Sequence, residues 1–336
     1  MKLVWILGLA ACGGGAATPV AKPSNGDGSM QCAWHDDVVG NAEALQQTWV
    51  ALPKALAHAG VNATGAALIG LDGKPLGAAA TASPPLDSAK VVNAGALIHG
   101  YFAFVTGSAG GKPTAELARF DPAGAATAMQ AFPPELGAET GKQLIEAGNC
   151  FALLTDKDVR IADGHLKPVG DPIAHGTPVR VARVGGVKSF RIAVQWDAGK
   201  LQVFDASTGN PIAEPVDTGH ELIALVPMGE VSALAIAAKD GLLEDAKVDS
   251  DGKLGPWHTL HKGHRADNVI AGERPDGRML IQFTDDQAYA GEIRGDGSLG
   301  PLSAPGPAEH QSTFGIVGFD GIYDQDGTDI RRWTCD

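Results

Sequence analysis

One turn phrase returns along this chain at nearly constant spacing, and that recurrence limits the possible folds more than any other feature. It is clearest in Val248-Asp249-Ser250-Asp251-Gly252-Lys253-Leu254-Gly255-Pro256 and in Arg294-Gly295-Asp296-Gly297-Ser298-Leu299-Gly300-Pro301, and is recognisable in Asp163-Gly164-His165-Leu166-Lys167-Pro168. Looser copies are Asp72-Gly73-Lys74-Pro75-Leu76-Gly77, Phe120-Asp121-Pro122-Ala123-Gly124 and Phe204-Asp205-Ala206-Ser207-Thr208-Gly209. The marker glycines at 73, 124, 164, 209, 252 and 297 are separated by 51, 40, 45, 43 and 45 residues. Each marker follows short apolar runs with alternating faces, such as Phe190-Arg191-Ile192-Ala193-Val194-Gln195-Trp196 and then Leu201-Gln202-Val203-Phe204. Such runs read as strands. Asp-Gly between two of them reads as a hairpin turn, because glycine takes a positive φ without steric penalty and the Asp carboxylate binds nearby backbone N–H groups.

A unit of about 45 residues has room for four strands and three turns, the size of one β-propeller blade. The 307 residues from 30 to 336 divide into seven units of about 44 or six of about 51, and the later gaps favour seven. The sequence therefore predicts an all-β fold, a propeller of seven four-stranded blades, with six or eight as alternatives. The C-terminal remainder, Ser312 to Asp336, is too short for a blade of its own, and Gln31 to Val39 is placed to supply its missing strand. The first blade is ambiguous. Leu45, Trp49, Leu52, Leu56 and Ala59 recur at helical spacing, but Pro53 would break a helix there, so irregular strand is favoured over a short helix. The Gly-His and Trp-Asp pair of WD40 repeats and the double glycine of kelch repeats are both missing; the resemblance is to propellers as an architecture.

Closure of such a ring gives the cysteines a role. Of four, Cys32 opens the folded body and Cys335 is the penultimate residue. A bridge between them would tie neighbouring strands of the closing blade. Cys150, beside Phe151, is then expected to be a buried thiol acting as a small hydrophobe. Cys32–Cys150 and Cys150–Cys335 are the competing pairs.

The composition agrees with a fold that turns often: 45 Gly and 21 Pro leave little room for long helices. A formal charge of −13 argues against nucleic acid, whose phosphates call for clustered cations.

The first residues give an address. Met1-Lys2 is followed by the apolar run Leu3 to Leu9, too short to span a bilayer, and then by Leu9-Ala10-Ala11-Cys12. This resembles the lipobox of bacterial lipoproteins. The resemblance implies that residues 1–11 are a signal peptide and that Cys12 becomes the acylated N-terminus, with diacylglycerol and a palmitate-type chain. With Gly13 in place of the Asp that retains lipoproteins at the inner membrane, it also implies an outer-membrane lipoprotein facing the periplasm or the surface. Residues 12–29 are Gly-, Pro- and Ser-rich and read as a flexible tether, leaving 30–336 as the folded domain.

Candidate chemistry is sparse. His258, His261 and His264 fall within seven residues, but no acid lies inside the segment to orient them, and solvated loop histidines are the better reading. Asp320 to Asp329 is rich in oxygen donors. Asp324, Asp326 and Asp329 partly fit the calcium loop of integrin-type propeller repeats, one residue short, so they are weak Ca²⁺ candidates beside the simpler reading of an acidic turn. Asp249 and Asp251 are weaker still. His35-Asp36-Asp37 reads as a surface turn. Trp34, Trp49, Trp196, Trp257 and Trp333 read as blade packing rather than a carbohydrate platform. No nucleophile elbow, zinc signature or phosphate loop is present, and no catalytic residue is assigned. The functional expectation is a non-catalytic, lipid-anchored binding or scaffold module for an envelope protein or glycan. The alternatives are a hydrolase or lyase with a cation-assisted site in the central channel, and a structural calcium-binding module.

Overall fold

The computed structural model describes residues 30–41, 48–186, 188–262, 267–285, 287–306 and 314–336. The lipobox with Cys12, the tether, Leu45 and His264 lie outside them. Strand β1 spans Cys32–Asn41. Blade 1 contains β2 (Trp49–Leu52), β3 (Ala55–Asn62), β4 (Gly65–Gly70) and β5 (Ala80–Thr81). Blade 2 contains β6 (Ser88–Leu97), β7 (Gly100–Ala109), β8 (Lys112–Phe120) and β9 (Ala126–Ala131). Blade 3 contains β10 (Gln143–Ala147), β11 (Cys150–Leu154), β12 (Val159–Ala162) and β13 (Pro168–Ile173). Blade 4 contains β14 (Pro178–Arg183), β15 (Arg191–Trp196), β16 (Lys200–Asp205) and β17 (Val216–Asp217). Blade 5 contains β18 (Glu221–Met228), β19 (Ser232–Lys239), β20 (Leu242–Asp249) and β21 (His258–Lys262). Blade 6 contains β22 (Asp267–Glu273), β23 (Met279–Thr284) and β24 (Ala288–Ile293), and blade 7 β25 (Phe314–Val317), β26 (Gly321–Asp326) and β27 (Asp329–Cys335), with β1 as its fourth strand. Within each sheet every pairing is antiparallel, and the first strands of successive blades touch around the axis. The fold is a seven-bladed propeller.

The sequence pattern follows from this stacking. Middle strands lie between two neighbouring blades and are apolar on both faces; every residue of β11 (Cys-Phe-Ala-Leu-Leu) is buried. Outer strands such as β13 face water along most of their length. Cores form between blades: Phe102, Phe104 and Leu117 of blade 2 pack with Leu144, Phe151 and Leu153 of blade 3, and the Phe102 and Phe151 rings meet edge-on at 6.4 Å. Burying each such ring contributes about 2–3 kcal/mol. In blade 1 the helical spacing is overridden, because Leu52 pairs with Ala55 across a turn holding Pro53 and Lys54, where a missing N–H does no harm.

The recurrent phrase is the turn between the third strand of a blade and its outer edge. Asp249 Oδ1 accepts from the N–H groups of Asp251 and Lys253, and Asp121, Asp163, Asp205 and Asp296 act alike on their own turns. Glycine is required where φ is positive, as at Gly252 (φ 82°) and Gly297 (φ 93°). Blade 3 departs from the pattern: Leu166 (φ 62°), not Gly164, holds the left-handed position, and its side chain is buried in the blade 2–3 core. In blade 6 the outer edge is irregular. Gly300, Ser303 and Gly306 N–H groups bond to Glu292, Ala290 and Ala288 carbonyls, while Pro301 and Pro305 contribute no donors.

Blade 7 joins the two ends of the body. Cys32 lies directly opposite Cys335 in the β1–β27 ladder, and the two form a disulfide across a separation of 303 residues. Trp34 packs edge-on against the fully buried Trp333 at 5.2 Å. Cys150 is fully buried in the blade 3–4 core. It is not a free thiol, which corrects the expectation of one there.

Candidate functional site

The first strand of each blade ends at one face of the ring, the face that also carries the recurrent turns. Three of these ends bring charge towards the axis: Glu146 at the end of β10, Arg183 at the end of β14 and Glu273 at the end of β22. Glu146 sits just before a two-residue turn, Gly148 and Asn149, in which both residues have positive φ (58° and 71°) as a tight hairpin demands. Its Oε2 accepts the Ile98 N–H of blade 2 at 2.6 Å. The inner strands are also pinned together one turn deeper. The buried Asn93 side chain donates to the Leu144 carbonyl at 2.8 Å and accepts the Leu144 N–H at 2.9 Å.

Burial pushes the Glu146 carboxyl up to about 7, although the Ile98 N–H and the guanidinium groups of Arg183 and Arg119 pull it down. Glu273 is pushed to about 7 by the same cause, opposed by Arg183 and the Gly229 N–H, and helped by Glu230 and Asp276. Arg183 thus acts by its charge on carboxyls from blades 3 and 6 without pairing directly with either. Its Nε donates to the Gly185 carbonyl at 2.9 Å and its Nη1 to the Glu146 carbonyl at 3.3 Å.

On the other side of Glu146, between blades 2 and 3, opens a cavity of about 240 Å³. Arg119, Asp121, Thr127, His99 and Asn149 give it polar groups, and Leu97, Ile98 and the edge of Phe151 an apolar wall. Arg119 is fixed by Nη2 donating to the Gly164 carbonyl at 2.7 Å and by its guanidinium lying over the Phe151 ring, 5.5 Å from the centroid. A recessed cavity with convergent polar groups and a carboxyl of raised pKa is the arrangement expected of a ligand site.

The residues singled out by sequence fall elsewhere. His258 and His261 lie on β21 itself, not in a connection, and an acid distant in sequence bonds His261. His258 Nδ1 is 3.6 Å from Asp245, and His261 Nε2 is 3.0 Å from Asp285 while its ring lies against Phe283. Asp245 is fully buried and pushed to about 7 by that burial, with Lys247 opposing and Asp296 adding to the shift. His220 stacks on Trp257 with ring centroids 4.1 Å apart and meets Glu244 at 2.9 Å. In the acidic hairpin, Asp324 is fully buried and accepts from Gln282 Nε2 at 2.6 Å, whereas Asp326 and Asp329 flank Arg331 near the turn. The three do not converge. Among the described residues no group of three or more His, Cys, Asp or Glu side chains is arranged to hold a metal ion. His35 bonds the Thr334 hydroxyl at 2.7 Å, and Trp34 Nε1 donates to Asp36. Trp49, Trp196 and Trp333 are buried in the blades; Trp34 and Trp257 are only partly covered.

Sequence reasoning missed Glu146, Arg119, Arg183 and Glu273, which come from four blades and share no local motif. One signal was present: Glu146 interrupts the run from Leu144 to Leu154, where only apolar residues are expected to point inward.

No protein-family model matches the chain, and no curated protein matches it in sequence. Solved structures share its fold. The WD40 domain of Toxoplasma gondii coronin superposes with a TM-score of 0.61 at 10% identity, covering 92% of this chain and 86% of that one. A chain of the outer-coat vertex of COPII on membranes gives 0.58 at 11% identity, covering 86% and 83%. The WD40 propeller domain of Doa1 gives 0.50 at 12% identity, covering 91% and 96%. At such identities the likeness is one of fold, reached here without the WD40 signature residues.

Proposed function

We propose that this protein is a non-catalytic binding module of the bacterial cell envelope, held at the outer membrane by acyl chains on Cys12 and engaging its partner through the turn-bearing face of the propeller. The observation that carries the binding role is the recessed polar cavity on that face, built from two blades inside a ring closed by a disulfide. A rigid ring holds such a surface in place without conformational search, which is what a recognition platform requires. Fold alone does not specify the partner, and the WD40 neighbours are consistent with a scaffold role only at that level. The lipid anchor rests on the lipobox residues. The experiment is fractionation with mass spectrometry of the mature N-terminus, followed by crosslinking in intact cells. Wild-type protein should fractionate with the outer membrane and carry an acylated Cys12, Cys12→Ala should be released from it, and Arg119→Glu on the cavity face should lose the main crosslink. A wild-type chain with an unmodified Cys12, or a crosslink unaffected by the charge reversal, would overturn the corresponding half of the reading.

One observation favours the catalytic alternative, a hydrolase or lyase: two carboxyls held near neutrality feel the charge of Arg183, and groups in that range suit proton transfer. Turnover of an envelope glycan or ester that vanishes in both Glu146→Gln and Glu273→Gln would establish it in place of the binding role.

A further inference from the structure

The cavity between blades 2 and 3 has a shape and a donor set that narrow its occupant. Its 240 Å³ has room for one six-membered ring with its substituents. Its charges oppose one another. A phosphate entering it would face the carboxyls of Glu146 and Asp121, and a free cation would face Arg119.

A carboxylate is disfavoured in the same way, since beside Arg119 it would meet Glu146 and Asp121. One Nη2 hydrogen goes to the Gly164 carbonyl and Nε is closed off from solvent, so Arg119 offers the Nη1 hydrogens and the second hydrogen of Nη2. Asp121 is similarly half spent, since its Oδ1 accepts the N–H groups of Ala123 and Ala125 at 2.9 Å. What remains is a mixed set of donors and acceptors: these Arg119 N–H groups, the Asn149 amide, the free side of Asp121 and the Glu146 carboxyl. Leu97 and Ile98 stand opposite. Hydroxyl groups, each able to donate and accept at once, satisfy such a set, and the C–H face of a ring satisfies the apolar wall.

We propose that this cavity binds one neutral pyranose unit of a glycan. The proposal rests on the binding-module reading and names the ligand class for its cavity. Glu146 and Asp121 accept from ring hydroxyls, Arg119 and Asn149 donate to ring or hydroxyl oxygens, and the sugar's apolar face lies on Leu97 and Ile98.

The test uses the full chain at neutral pH with the methyl glycosides of glucose, galactose and N-acetylglucosamine as probes, and glycine and inorganic phosphate as counter-probes, by saturation-transfer NMR and calorimetry. At least one glycoside should bind in the millimolar range or tighter, and neither counter-probe should. Arg119→Met should weaken that binding about 10-fold or more, as loss of a hydrogen bond from a charged group does. Asn149→Gly, which keeps the left-handed backbone, should weaken it less, and Val231→Ser on the distant blade 5 should leave it unchanged. Melting curves establish that each variant is folded. Silence of all three glycosides at tens of millimolar, preference for glycine or phosphate, or an unchanged affinity in folded Arg119→Met would each overturn the proposal. If the glycosides fail while the cellular crosslink persists in wild type and is lost in Arg119→Glu, the binding-module reading stands and only the sugar assignment falls.

Discussion

Removing the Cys32–Cys335 disulfide should lower stability by an amount that can be worked from the ring itself. The bond closes a loop of 303 residues, and in the chain-entropy description restricting an unfolded chain of that length stabilises the fold by about 6 kcal/mol at 25 °C. The folded ring retains the β1–β27 ladder and the Trp34–Trp333 contact without the bond, so the loss falls on the unfolded ensemble rather than on native contacts. Globular domains gain about 2 cal/mol/K of entropy per residue on melting, so for a domain of this size each kcal/mol moves the midpoint by roughly 1.6 °C. The double variant Cys32→Ala, Cys335→Ala is therefore expected to melt about 9 °C below wild type, with an unchanged circular dichroism spectrum at low temperature. Scanning calorimetry reads the shift, and intact mass under non-reducing conditions verifies the bond in the parent. A drop of less than about 2 °C, with the bond shown present in the parent, would refute the reasoning, because it would mean that the denatured chain is already confined by something other than this link.

Three further outcomes follow from named contacts. Glu146, Glu273 and Asp245 are all pushed to about 7 in the fold, so between the ordinary carboxyl range and pH 7 the folded chain holds more protons than the unfolded one. The stability they contribute is full below about pH 4, is lost as pH rises to about 7, and is flat above that. For Glu146 alone the loss is about 3 kcal/mol, and Glu146→Gln should flatten the melting temperature between pH 5 and 7; an identical slope in the variant would contradict this. Asn93→Ala strands both the N–H and the carbonyl of Leu144 in the core and should cost about 2–5 kcal/mol in urea unfolding, against less than 1 kcal/mol if water replaces the amide. Adding Ca²⁺ or EDTA should leave the midpoint unmoved, since Asp324 is engaged by Gln282 and Arg331 lies beside Asp326 and Asp329; a rise of several degrees with Ca²⁺ would show that the hairpin rearranges into a binding loop.

Architecture was legible because it repeats. A turn that needs Asp to hold backbone N–H groups and Gly to take a positive φ leaves the same mark in six blades, and the spacing of the marks sets the length of a blade and so their number. Where another force takes over, the mark fails: at Leu166 core burial outweighs the preference for glycine, and in blade 1 helical spacing yields to Pro53 and to pairing with neighbouring strands. The disulfide was readable from position, as ring closure makes sequence ends spatial neighbours. The candidate site was not. Arg119, Glu146, Arg183 and Glu273 are each ordinary in their own blade and acquire meaning only where strand ends from four blades converge. The histidines show the same limit, since the acid that bonds His261 lies in the loop after β23, in another blade.

The seam in blade 7 has a consequence for biosynthesis. Strand β1 is made first and its partner β27 last, so through almost all of synthesis the earliest strand displays an open edge with its mate still to come. Cys150 emerges long before Cys335, so Cys32 can meet it before its own partner exists. A protein assembled in this order should depend on an oxidoreductase able to undo a premature link, and cells lacking that activity should accumulate chains trapped with an unsealed ring.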